Sequence, residues 1–293
     1  MPKELIKPQF LPAEAACGMS VRKVKKMQGE VMYPRFLTPT SAKFDPVELA
    51  RRTERIVCRG NKRKYTDFYV VGVYGGIATG YAVGCCLRCV FCWVGLSREF
   101  PERFGKFYSP EEAFMRLDEA ARRRRVRKLR ISGAEPTLCR QHLLELLELV
   151  ERSPYDVFIL ETNGILLADE DYVAELSRFK KVHVRVSLKA GTPEEFSKKT
   201  GAVESAFELP FEAIRNLIKH GLSFHVAVMS DPRIMSAEER ANLLRKLKSI
   251  EPRLLKMLEE EVVDPYETTL LRLEKAGIRL KWRRAGRCSD NLT

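Results

Sequence analysis

The chain has 293 residues, 45% of them hydrophobic and 31% charged, with a formal net charge of +13. That length serves one large α/β domain with extensions or two small domains, and the charge attracts nucleic acid or other polyanions without naming one. No run approaches the ~18 apolar residues of a membrane span, and the opening MPKELIKPQFLPAEAACGM lacks the apolar stretch of a secretory signal, so a cytoplasmic protein is expected.

Residues 1–64 are rich in Lys, Arg and Pro with weak periodicity and read as an N-terminal extension, in which Val21–Lys26 suits one short helix. From Tyr65 to about residue 235 strands and helices alternate, the pattern of a parallel sheet or barrel. A hairpin comes first: Thr66–Tyr74 and Ile77–Val83 flank Gly75-Gly76, and the second strand runs into four cysteines between positions 85 and 92. Helices are expected after the capping pairs Ser109/Glu112, Thr192/Glu195 and Ser236/Glu239, and around Gln141–Arg152 and Phe211–His220, the last stopped by Gly221. Strands are expected at Lys128–Ser132, Val157–Glu161, Val182–Leu188 and Phe224–Met229. In VHVRVSLK, Val182, Val184, Val186 and Leu188 alternate with His183, Arg185, Ser187 and Lys189, so one face is apolar and the other polar. Residues 236–293 read as a C-terminal helical extension ending in a strand, Gly277–Arg284, with Trp282 packed.

Eight cysteines in a reducing compartment point to metal binding or catalysis more than to a disulfide framework. Cys85, Cys89 and Cys92 form Cys-x3-Cys-x2-Cys, a loop of three thiolates that suits iron-sulfur or zinc. Structural zinc needs a fourth ligand, which would be Cys86, His183, His225 or a distant cysteine; a cluster with one iron left open needs none. Cys17, Cys58, Cys139 and Cys288 are scattered, and a second cluster would require them to fold together. His183 and His225 are read as structural histidines.

The loop resembles that of the radical S-adenosylmethionine (SAM) superfamily, with Phe91 at the aromatic position of Cys-x3-Cys-x-aromatic-Cys. Downstream, Gly133-Ala134-Glu135-Pro136 resembles that family's Gly-Gly-Glu-Pro segment, with alanine for the second glycine crowding the turn; Thr162-Asn163-Gly164 resembles a turn that lies near SAM. The resemblance covers roughly residues 66–232 and implies an α/β fold, a partial (β/α)6 barrel with N- and C-terminal extensions. It implies a 4Fe-4S cluster on Cys85, Cys89 and Cys92 that cleaves SAM to a 5′-deoxyadenosyl radical, fed by a flavodoxin or ferredoxin. It also implies SAM contacts from Phe91, Gly133, Ala134, Glu135, Thr162, Asn163, Ser187, Lys189, Val228 and Met229.

Within the family, Val184–Gly201 resembles the enzymes that activate glycyl-radical enzymes, while CVFCW and GAEPTL resemble the enzyme that builds the tricyclic base of wybutosine in archaeal tRNA. These imply a macromolecular substrate, protein or RNA. The run Arg122–Arg125 with Arg127, Lys128 and Arg130 is the densest basic segment and ends a predicted helix, where cations also complement the helix dipole. A reading of another class is a zinc-stabilised, non-catalytic RNA-binding protein.

Overall fold

Asp45 starts the first helix, α1 (Pro46–Val57): its carboxylate accepts from the Val47 and Glu48 amides, and Pro46 is pre-set in the first turn. A computed structural model describes residues 32–282; the helix expected at Val21–Lys26 lies outside them, as do Cys17 and Cys288. The buried face of α1 lies against the start of the cysteine loop, where Gly84 (φ +87°) leaves no space for a β-carbon beside Thr53 and Val57. Strands β1 (Cys58–Arg59) and β2 (Lys62–Val71) follow, so ordered structure begins ahead of Tyr65.

β2 and β3 (Ile77–Ala82) form the expected antiparallel hairpin, but its turn uses residues 72–76 rather than Gly75-Gly76 alone. Within that turn Tyr74 adopts φ +53° and its hydroxyl donates to Glu161 at 3.1 Å. β4 (Lys106–Tyr108) pairs with β2, and α2 (Pro110–Arg124) crosses to β5 (Lys128–Ser132), parallel to β3. Then come α3 (Arg140–Glu151), β6 (Val157–Thr162), α4 (Glu170–Leu176), β7 (Val182–Leu188), α5 (Pro193–Thr200), α6 (Leu209–Lys219), β8 (Ser223–Met229), α7 (Ala237–Ile250), β9 (Leu258–Glu261) and α8 (Glu267–Lys275). β3, β5, β6, β7, β8 and β9 lie parallel in chain order with helical crossovers between them, a partial (β/α)6 barrel that does not close.

Several expectations change. Only Ser109 and Glu112 form a reciprocal capping box; Thr192 and Ser236 cap their helices, but Glu195 turns to Lys198, and Glu239 to Lys199 and the Gly191 amide. Of the closing strand expected at Gly277–Arg284, the described part, Gly277–Trp282, has no strand pairing, and Arg283 and Arg284 lie outside the described residues. Gly277 (φ +72°) ends α8, and Ile278, Leu280 and Trp282 then lie half-buried on the core, which mimics a strand's periodicity without a partner. The sixth barrel strand is β9, whose Leu-Glu-Glu-Glu sequence has poor intrinsic strand preference. Cys58 and Cys139 form a disulfide with Cα atoms 5.8 Å apart, tying β1 to the start of α3 and removing two of the four thiols from any second cluster.

Candidate active site at the cysteine loop

Strand alternation sends one set of side chains into the barrel: Tyr81 of β3, Arg130 and Ser132 of β5, Glu161 of β6, Arg185 and Ser187 of β7, and Glu259 and Glu261 of β9. Their charges neutralise one another. Glu161 accepts from Arg130 at 2.7 Å and from Ser132 at 2.6 Å; Arg185 donates to Glu259 at 2.9 Å and Glu261 at 2.8 Å. Hydrogen bonds from His225 and Arg185 hold the Glu259 carboxyl down to about 2. His183 Nε2 and His225 Nδ1 lie 2.7 Å apart in the N-terminal halves of β7 and β8, at the end of the barrel away from the cysteines; burial, then His225, lowers the His183 pKa. A ligand at the C-terminal ends of the strands therefore meets a floor of paired charges.

The cysteine loop leaves β3 and is fixed through its backbone. The Arg88 and Val90 amides donate to the Thr200 and Lys199 carbonyls at 2.9 Å, so the last turn of α5, whose carbonyls lack helical partners, supports the loop. The carbonyl of each expected ligand is held by a different buried arginine: Cys85 by Arg88 at 2.8 Å, Cys89 by Arg98 at 2.7 Å, and Cys92 by Arg272 at 2.6 Å. Arg98 and Arg272 both bind Glu99, which is fully buried. Burial alone would weaken the charge on Arg98; the cysteines and Glu99 outweigh it and strengthen it. Thr268 and Thr269 of α8 add hydrogen bonds to the Trp93 and Cys92 carbonyls at 3.1 and 3.3 Å.

The thiols differ. The hydrogen bond between Cys85 and Cys86 lowers the Cys85 thiol against the effect of burial and raises that of Cys86, whereas burial pushes Cys89 up to about 12. Cys86 is buried behind the loop and meets Asn163, whose amide Nδ2 lies 3.3 Å from the Cys86 sulfur and 3.8 Å from that of Cys85.

The Glu135 carboxylate is turned inward and 2% exposed: it accepts from the Thr137 amide (3.1 Å) and hydroxyl (2.6 Å), the Thr162 hydroxyl (2.7 Å) and the Asn163 amide (2.9 Å). It thus clasps the turn after β5 to the turn after β6. Arg63, fully buried, donates to the Glu135 and Pro136 carbonyls at 2.6 and 2.7 Å and also to that of Leu138. Ala134 is tolerated because the positive φ of this turn, +93°, falls on Gly133. Ser187 donates to Glu261 at 3.1 Å and accepts from Lys189, which is an electrostatic neighbour of Cys89. Phe91 is buried within the core cluster.

Met229 faces the barrel interior opposite Glu261, but Val228 belongs to the helix-facing set with Val226 and Leu188, so its side chain is not placed to line a ligand. The basic run is divided: Arg122–Arg125 and Arg127 lie at the strands' N-terminal end and are exposed, away from the cysteines, while Arg130 enters the barrel. Sequence reasoning did not single out Arg63, Arg88, Arg98, Glu99 or Arg272; the only signal was two arginines in and just after an otherwise apolar cysteine loop.

Among the described residues no group of three or more His, Cys, Asp or Glu stands close enough together to hold a metal ion. Three thiols in one electrostatic neighbourhood, backed by buried cations, suit a larger anionic iron-sulfur cluster.

The fold and this loop define a radical SAM protein, and the chain belongs to that family: residues 81–247 match the Radical SAM superfamily. It is an iron-sulfur radical SAM enzyme, and members use a 4Fe-4S cluster, SAM and an electron donor. Among curated relatives, a probable GTP 3′,8-cyclase of Saccharolobus islandicus is 29% identical over 138 residues, 47% of this chain and 42% of that protein. A 7-carboxy-7-deazaguanine synthase of Methanothermobacter thermautotrophicus is 28% identical over 155 residues, 51% of this chain and 59% of that protein. The chain thus spans less than two thirds of either relative. SuiB of Streptococcus suis, solved with its precursor peptide SuiA, shares the fold at 15% identity and a TM-score of 0.51, covering 74% of this chain and 41% of that one. No helix among the described residues is long and apolar enough to cross a membrane.

Proposed function

We propose that this enzyme cleaves SAM reductively at a cluster on Cys85, Cys89 and Cys92 and turns the radical on a substrate carrying a guanine-type ring, free or within RNA. The observation that carries the first half is the arginine held on each cysteine carbonyl, which fixes the ligand backbone independently of metal. When bound, the cluster supplies the electron and SAM the hydrogen-abstracting radical.

The protein's own groups receive the cofactor. Gly133, Ala134 and Glu135 would hold the amino group of SAM, Ser187 and Lys189 its carboxylate or ribose, and Phe91 and Met229 would close the adenine side, with Glu135 and Phe91 acting from buried positions. Thr162 and Asn163 act by fixing Glu135 and the Cys85–Cys86 pair.

The ring half rests on relatives named for GTP and for a deazaguanine, and the net charge of +13 favours a phosphorylated partner. The stretch Val184–Gly201, which resembles activating enzymes, forms β7 and α5 and supports the cysteine loop.

Anaerobic reconstitution with iron and sulfide, followed by dithionite and SAM, should yield 5′-deoxyadenosine by mass spectrometry in the native chain and none in the Cys85→Ala, Cys89→Ala, Cys92→Ala variant. Zinc in place of iron in anaerobically purified protein would sink this reading and restore the zinc-bound RNA-binding alternative.

A further inference from the structure

We propose that Tyr69, Tyr81, Trp93 and Tyr266 form a stacking platform at the barrel mouth for a guanine-type ring, with Glu161 accepting from the ring's N1–H. This rests on the radical SAM reading and names the residues that would select its substrate.

The four rings come from separate elements: β2, the end of β3, the cysteine loop, and the residue that starts α8. Tyr69 and Tyr81 stack with centroids 4.5 Å apart and planes at 20°; Trp93 stands at 88° to Tyr81 with centroids 6.4 Å apart, and Tyr266 continues the row 6.4 Å beyond Trp93. Parallel tyrosines and a perpendicular indole make a corner that takes a flat ring by its face on one side and its edge on the other. Tyr69, Trp93 and Tyr266 are 42%, 45% and 54% exposed, so much of their aromatic surface is open to a ligand.

The corner is preformed. The Trp93 carbonyl is held by Thr268 and that of Cys92 by Arg272, which anchors the indole next to the cluster loop instead of leaving it on a free tether. Below it, Arg130 and Glu161 lie in electrostatic reach of Tyr81. Glu161 receives Tyr74 and Arg130 on one oxygen and Ser132 on the other, so the second oxygen has acceptor capacity left. That one open site can accept the N1–H of guanine, whereas adenine carries a lone pair at the same ring nitrogen, which a carboxylate repels. The charge floor keeps the ligand at this layer, beside the cysteines.

Equilibrium dialysis of the anaerobically reconstituted full chain with SAM, against GTP, ATP and a guanosine-containing single-stranded RNA, tests the platform. GTP should bind more tightly than ATP, and Trp93→Leu, Tyr81→Leu and Tyr266→Leu should each weaken GTP about tenfold, the effect of one lost stacking contact. Trp93→Phe should retain most of the affinity, and Glu161→Gln should erase the preference for GTP. RNA binding that exceeds GTP binding identifies nucleic acid as the source of the ring; the reverse identifies a free nucleotide. Iron content and SAM binding report whether each variant keeps its loop, and Tyr266→Leu, outside the loop, decides if Trp93→Leu does not. No nucleotide binding, equal GTP and ATP affinity, or native affinity in Tyr266→Leu overturns the proposal. Dithionite is absent from the dialysis and SAM cleavage is assayed separately with it, so a failed platform with SAM cleavage intact refutes this inference alone, whereas intact ring binding without SAM cleavage refutes only the radical reading.

Discussion

Two buried glutamates flank the cysteine loop and hold it by opposite means. Glu99 sits between guanidiniums, with Arg98 at 2.9 Å and Arg272 at 2.7 and 2.8 Å; Glu135 is met only by two threonine hydroxyls and two backbone amides. Burial would raise the Glu99 carboxyl, but Arg272 and Arg98 outweigh it and keep it below the usual carboxylate range. The difference lies in what each would leave behind. Without its charge Glu99 strands two buried cations, whereas Glu135 strands only neutral donors.

Glu99→Gln should therefore be the more damaging change, costing about 3–5 kcal/mol as a broken buried pair and lowering iron uptake, since Arg272 also holds the Cys92 carbonyl. Glu135→Gln keeps the shape and leaves one buried donor facing an amide, for about 1–3 kcal/mol. Urea unfolding of the two variants ranks them; a larger loss in Glu135→Gln would mean that the charged clasp does not dominate.

Acid sharpens the same contrast. The native Glu99 pKa is depressed, so its contribution to stability is complete above the unfolded carboxylate value of about 4.3 and is lost as pH falls through the lower native value. Glu259, held at about 2, acts in the same direction. The native chain should lose stability as pH drops from 6 toward 3, and Glu99→Gln should lose less over that interval. Equal slopes in urea titrations at several pH values would show that Glu99 carries no such linkage.

The loop was legible where its chemistry is local in sequence. Cys85, Cys89 and Cys92, the Glu135 turn and the Thr162-Asn163 turn are short motifs at strand ends, and β7 announced its two faces by strict alternation. The clasp on Glu99 was not, because Arg272 lies 173 residues away and nothing near it marks a partner. The Cys58–Cys139 disulfide, separated by 81 residues, was hidden for the same reason. β9 escaped because its carboxylates belong to a strand only once Arg185 neutralises Glu259 and Glu261. Val228 was misplaced because β8 is apolar on both faces along Val226–Met229, so alternation could not tell helix side from barrel interior.

The smallest effects test whether a hydroxyl matters by its bond or by what it leaves unpaired. Thr162 donates to Glu135 at 2.7 Å and accepts from the buried Gly164 amide at 3.1 Å, so Thr162→Val removes one bond and orphans another group. Thr269 donates to the Cys92 carbonyl at 3.3 Å, but Arg272 holds that oxygen as well. Thr162→Val should cost about 1–2 kcal/mol and Thr269→Val about 0.5 kcal/mol, because an unpaired buried donor costs more than a shared acceptor losing its second partner. Equal losses by urea unfolding would place the strength of the loop's attachment in the number of hydrogen bonds rather than in the charge of Arg272, and the contrast between the two glutamates would lose its basis.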